Sequence, residues 1–246
     1  MFSSLSGTRM INTQFDKWDV ENIMQEKSVF QSHGGVAATS ADTSKVLRNT
    51  YMLLGLTLLN SAFFAGIAMA MNMSHMMGLV CSILGLVMLF VVNATANSSK
   101  GLVATFVFTG LLGAALGPML QAYLALPNGS ELVMQALGGT ALVFFGLSGY
   151  VLTTRKDFSF LGGFLMIGLL VAVIASIANL FFQVPAASMA ISAAIVFIMS
   201  GLILFDTSRI IHGGETNYIR ATVALYLDIY NLFIHLLHLL GITSSD

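Results

Sequence analysis

Charge is what this chain has least of. Only 9% of its 246 residues are Asp, Glu, Lys or Arg, where a soluble domain carries about 25%. That excludes an ordinary soluble globular protein. It also excludes a nucleic-acid binder, because the ten cations are scattered and form no basic patch. Cysteine is scarcer still. Cys81 stands alone in an apolar run, so neither an intramolecular disulfide nor a cysteine-based metal centre can form, and the thiol reads as a small packing hydrophobe. The amino terminus lacks a basic stretch followed by an apolar core, so no cleavable signal sequence is expected and insertion should use an internal span. Proline occurs three times. Pro127 and Pro185 fall between apolar stretches, whereas Pro118 lies inside one, where it would kink or weaken a helix.

Hydrophobic residues make up 57% of the chain, with a mean hydropathy of +0.87. A membrane-spanning helix needs about 20 apolar residues. Stretches of that length are expected at 50–71, 76–96, 101–124, 132–154, 160–182, 187–209 and 219–241. Their connectors are short, so sequential helices should lie side by side and antiparallel. The fold class is therefore all-α: a polytopic membrane protein built as a seven-helix bundle. Residues 1–44 differ in kind, being polar, mixed in charge and rich in Ser, Thr and Gly near their end. They read as a mobile cytoplasmic tail ahead of a membrane domain covering 45–246. A short amphipathic helix over Phe15 to Phe30 is the weaker alternative, because Phe15, Trp18, Ile23 and Met24 do not share one face.

The cations sort by side. Lys45 and Arg48 precede the first span, Lys100 lies between the second and third, and Arg155 and Lys156 lie between the fourth and fifth. Arg209 and Arg220 flank the link between the last two, and the alternate connectors contain no Lys or Arg. The positive-inside rule then places the amino terminus in the cytoplasm. Seven full spans put the carboxyl terminus outside; a re-entrant last segment would return it to the cytoplasm. Small residues crowd two stretches: Gly110, Gly113 and Gly117 in one, and Gly138, Gly139, Gly146 and Gly149 in another. Tight helix packing is the expected use of both sets, with a hinge near Pro118 as the alternative for the first.

Two carboxylates interrupt the last two apolar stretches, Asp206 in AIVFIMSGLILFDTSRII and Asp228 in RATVALYLDIYNLFIHLL. An acid at membrane depth costs roughly 2.5–3.5 kcal/mol on insertion scales, and so usually faces the protein interior and marks function. Across one short turn the two can lie at similar depth and share a proton, forming a latch that opens when both ionise. Arg209, one turn along, can instead satisfy Asp206, and Asn231 or a backbone donor can satisfy Asp228. Asp228, Asn231, His235 and His238 also fall within about an 80° arc of one helix. That face offers a polar path for protons or ions; the plainer reading is a polar seam near the outer surface. Two histidines without a third ligand make a poor metal site, so no metal is expected.

Enzyme templates fail: HExxH, GxSxG, P-loop and GxGxxG are all absent. Intramembrane aspartyl proteases also use two aspartates on adjacent spans, but they carry Gly-x-Gly-Asp where this chain has Leu225-Tyr226-Leu227-Asp228. That reading is a remote alternative. A retinal photoreceptor is excluded because the last span has no lysine for a Schiff base. No cofactor is expected.

The segments KVLRNTYMLL, FTGLLGAALGPML, ALGGTALVFFGLSGYVLTTRKDFSFLGG and HGGETNYIRATVALYLDIYNLF resemble the Bax inhibitor family of membrane proteins, over roughly Thr43 to Ile242. The resemblance implies a seven-helix bundle with a central seventh helix. It also implies two activities. One is association with the membrane-anchored AAA+ protease FtsH in the bacterial inner membrane, restraining its proteolysis. The other is a proton-gated calcium or cation leak using an aspartate pair, matched here by Asp206 and Asp228. Relatives of the second kind carry an Arg near the inner end of helix two. Here that position reads NATANSSK, which leaves Lys100 and Arg209 as the candidate latch partners.

Overall fold

The computed structural model describes residues 40–243. The amphipathic helix considered over Phe15 to Phe30 lies outside them. Seven helices follow one another: α1 (Ser40–Ala70), α2 (His75–Thr95), α3 (Ser99–Leu124), α4 (Gly129–Thr154), α5 (Leu161–Phe182), α6 (Pro185–Ile211) and α7 (Tyr218–Thr243). All seven contain windows long and apolar enough to cross a membrane, and no strand occurs among the described residues. The chain is a multi-pass, all-α membrane protein. α1 begins well ahead of Thr50, because SADTSKVLR is compatible with helix and extends the span by polar turns beyond the apolar run. α7 is one continuous helix of 26 residues rather than a broken segment.

Local chemistry sets the helix ends. Ser74 caps α2, its hydroxyl accepting the Met77 amide at 3.3 Å. Arg155 ends α4 and Gln183 ends α5 in the left-handed conformation, each amide returning to a carbonyl four residues back. Pro185 occupies the first turn of α6, where its missing N–H costs nothing.

The helices pack unequally. α7 touches α1, α3, α4 and α6 and is the central helix. Leu225, Tyr226, Leu232 and Leu237 on it are almost fully enclosed. α2 packs on α3, and α5 on α6. These two flank the bundle, with 17% and 11% of their spanning windows buried against 44% for α7. Their exposed Leu, Val, Ile and Phe side chains face where lipid would be.

The glycines divide. A Cβ on Gly113 would lie 2.2 Å from the Ser61 carbonyl oxygen, and one on Gly117 2.5 Å from the Ala68 Cβ. α1 and α3 therefore approach at backbone distance, as small residues permit in lipid. Pro118 is buried, within 3.1 Å of a Cβ built on Gly78, and α3 runs on through it as helix to Leu124. The expectation fails for α4: Gly138, Gly146 and Gly149 have nothing within 4 Å, and Gly139 sits at ordinary contact distance. They lie away from the face of α4, marked by Ala136, Thr140, Phe144 and Ser148, that turns inward.

Candidate functional site

Polar groups run through the middle of the bundle. Tyr51 of α1, Ser148 of α4 and Thr207 of α6 form a hydroxyl chain with separations of 2.7 and 2.9 Å. Tyr226 of α7 meets Ser61 of α1 at 2.8 Å and donates to the Thr109 carbonyl of α3 at 3.4 Å. Tyr230 donates to the Leu112 carbonyl at 3.2 Å. Asn60 donates to the Phe106 carbonyl at 2.9 Å. Each pairing spares a buried polar group the penalty of going unsatisfied in an apolar setting.

Against this background Asp228 stands out. It is 4% exposed and its Oδ2 has no hydrogen-bond partner; Thr50 Oγ1 is the other such atom among the described residues. Asn231 does not serve it. The Asn231 amide donates instead to the Leu227 carbonyl of its own helix at 2.8 Å, as a short polar side chain in a helix interior readily does. What faces Asp228 is Asp206, whose carboxyl comes within interacting range across the α6–α7 seam. Arg209 reaches back to Asp206 at 3.7 Å and forward to Glu215 at 3.8 Å, with its guanidinium over the Phe205 ring. Asp206 thus pairs with the arginine one turn along its own helix and neighbours Asp228 across the seam. Lys100 is exposed at the start of α3 and forms no ion pair among the described residues, so it is not the latch partner.

Further along α7 the polar face continues against α6. His235 Nδ1 lies 3.1 Å from Ser192 Oγ, and His238 Nε2 lies 2.9 Å from Ser188 Oγ. Both histidines line a cavity of about 610 Å³ together with Tyr123, Asn179 and Gln183. This cavity lies toward the cation-free connectors, at the end of the bundle away from Arg209. No cluster of three His, Cys, Asp or Glu side chains suited to a metal occurs among the described residues. Sequence reasoning did not find the serines. Their signal was present, a four-residue spacing on α6 opposite a three-residue spacing of histidines on α7, but it has meaning only once the two helices are known to pair.

The family described as inhibitor of apoptosis-promoting Bax1 matches residues 43–245. The chain belongs to this Bax inhibitor family. It is 52% identical over 222 residues to a protein of Escherichia coli strain K12 named modulator of FtsH protease YccA, covering 90% of this chain and all of the relative. The same extent and identity hold for a protein of a second E. coli strain named inner membrane protein YccA. An uncharacterized membrane protein of Vibrio cholerae is 50% identical over 83% of this chain and 92% of its own length.

Proposed function

We propose that this protein binds the membrane-anchored protease FtsH and restrains its degradation of membrane substrates. The observation that carries this reading is the 52% identity over the full length of a relative named as a modulator of that protease. Direct association, and residence in the bacterial inner membrane with the amino terminus in the cytoplasm and the carboxyl terminus outside, belong to the same proposal. The orientation rests on the one-sided cations Lys45, Arg48, Lys100, Arg155, Lys156, Arg209 and Arg220. A polar cytoplasmic segment up to residue 44, ahead of the 45–246 membrane domain, completes the layout. The test is co-purification with FtsH from native membranes, with the half-life of a membrane substrate measured on overexpression. A complex and a lengthened half-life are expected; absence of both would remove the basis of the reading.

A second activity is favoured by the buried Asp228, whose Oδ2 has no hydrogen-bond partner and whose carboxyl neighbours Asp206. In this reading the two acids share a proton, and Arg209 steadies the closed latch. Double ionisation then opens a cation path that continues along Asn231, His235 and His238 into the outer cavity. Calcium flux into liposomes should rise as the pair ionises, and should lose its pH dependence in Asp206→Asn and Asp228→Asn. Flux that is absent, or unchanged in both variants, overturns this activity without touching the protease reading.

A further inference from the structure

The cavity walled by α3, α5, α6 and α7 is lined by hydrogen-bond donors that the protein leaves unused. The Ser188 hydroxyl lies 2.9 Å from His238 Nε2, and the Ser192 hydroxyl 3.1 Å from His235 Nδ1. Ser176 and Ser200 donate to the carbonyl four residues back in their helices, at 2.7 Å each; Ser188 and Ser192 make no such bond. Among the described residues, the imidazole nitrogen is therefore the acceptor each hydroxyl has. A nitrogen that accepts is unprotonated, so the neutral ring carries its proton on the other one. The network thus assigns Nε2–H to His235 and Nδ1–H to His238. Neither nitrogen bonds to a described residue, and neither is enclosed, so both meet open space. Asn179 repeats the arrangement: its Oδ1 accepts the Val184 amide at 3.1 Å, which leaves its NH₂ group unused on the cavity wall. We propose that this cavity seats a membrane glycerophospholipid, whose phosphodiester and ester oxygens accept from His238, His235 and Asn179.

Chemistry, depth and shape agree on this occupant. Unused donors select a ligand that only accepts, and phosphodiester and ester oxygens carry no hydrogen. None of the described lining residues is Asp or Glu, so no carboxylate there repels a phosphate. α6 and α7 have 27 and 26 residues, about 40 Å at a rise of about 1.5 Å, against a hydrocarbon core of about 30 Å. They overrun that core by about one turn at each end. Ser188 and His238 lie about one turn from the helix ends remote from Arg209, and Ser192 and His235 about one turn further in. That is the level at which a lipid carries its phosphate and glycerol. The volume, about 610 Å³, suits a small-ligand site and takes the head and glycerol, so the acyl chains must leave sideways. An exit exists. α3 and α5 both line the cavity but do not pack on each other. Leu180, on the α5 wall, is 73% exposed, so the cavity reaches the lipid-facing surface. Met119, Ile191 and Ile234 give the chains an apolar wall.

The lipid seat goes beyond both the protease reading and the aspartate latch and depends on neither. The full-length protein, delipidated in detergent and titrated with phosphatidylglycerol, should hold one lipid per chain in native mass spectrometry. Diacylglycerol with the same chains should bind at least about tenfold more weakly, because hydrogen bonds to a charged group are the stronger ones. Inorganic phosphate at matched concentration should not displace the lipid, since it lacks the chains. His235→Phe combined with His238→Phe keeps the rings and removes both donors, and should bring phosphatidylglycerol down to the diacylglycerol level. Leu180→Trp narrows the exit from an exposed position and should weaken binding severalfold, whereas Leu142→Trp, 75% exposed on α4, should leave it unchanged. If the histidine variant does not fold, the two tryptophan variants carry the test. Equal binding of diacylglycerol, competition by inorganic phosphate, full binding in a folded histidine variant, or no difference between Leu180→Trp and Leu142→Trp overturns the proposal. Ring ¹⁵N shifts should place the proton on Nε2 of His235 and Nδ1 of His238; the opposite tautomers overturn it equally.

Discussion

Tyr226 ties three helices through one oxygen. Its ring is 1% exposed, packed edge-on to Phe108 and stacked on Tyr230, and its hydroxyl joins Ser61 of α1 and the Thr109 carbonyl of α3 to α7. Tyr226→Phe keeps the ring and strips the link, leaving the buried Ser61 hydroxyl without that partner. A loss of about 1–3 kcal/mol is expected, read as a lowered unfolding temperature in detergent. At the surface, Asp157 gives a pH dependence with a definite sign. Its folded-state value lies below the ordinary one, first because the Ser159 hydroxyl and amide bond to the carboxylate. Its contribution is therefore complete above the unfolded value and fades as pH falls through the depressed one. Amide exchange at Ser159 should accelerate only in strong acid, and Asp157→Asn should accelerate it at neutral pH. The aspartates could be read from the sequence because an ionisable group in an apolar run is costly wherever it points. Tyr226, Ser61, Ser148 and Thr207 could not. Hydroxyls are tolerated in membrane helices, and what distinguishes these is a partner on another helix.

Among the helices, close approach rather than apolar periodicity decides the pairing. α1 and α3 meet at Gly113 and Gly117, where any side chain would strike backbone or Ala68. Gly113→Ala should force the two helices apart and destabilise by at least about 1–3 kcal/mol, the usual cost of overpacking. Gly138→Ala meets nothing within 4 Å and should be neutral or stabilising by about 0.5–1 kcal/mol through helix propensity. Thermal unfolding of both variants in one detergent checks the contrast. From composition the two glycine groups were indistinguishable, since helices without a net hydrophobic gradient carry no moment to tell a packed face from a lipid face. Helix number and approximate ends were readable for a simpler reason: a stretch of about 20 apolar residues with charged flanks has few alternatives. The polar start of α1 escaped because hydropathy marks the bilayer, not the helix.

Across the whole molecule, the cations of the described residues gather at one end of the bundle, and the histidine-lined cavity opens toward the other. Cysteines placed at Ser159, in the α4–α5 connector, and at Ser130, in the first turn of α4 at the opposite end of the bundle, both exposed, should label differently in intact cells once Cys81 is replaced. A membrane-impermeant maleimide should reach Ser130→Cys from outside and Ser159→Cys only after the inner face is opened. The seven-span count and the expected orientation came from the sequence. The placing of α7 at the centre was implied only by the family resemblance, because its residues are no more apolar than those of its neighbours. That placement bears on how the protein is made. α1, α3, α4 and α6 are synthesised before the helix that completes their shared interior, so Ser61 must wait in the bilayer for Tyr226, and Asp206 for Asp228. A ribosome halted before Tyr218 leaves six inserted helices around an unfilled, partly polar centre. Assembly is therefore decided at the final insertion step, and a chain that stops short of it presents membrane quality control with unmatched polar groups.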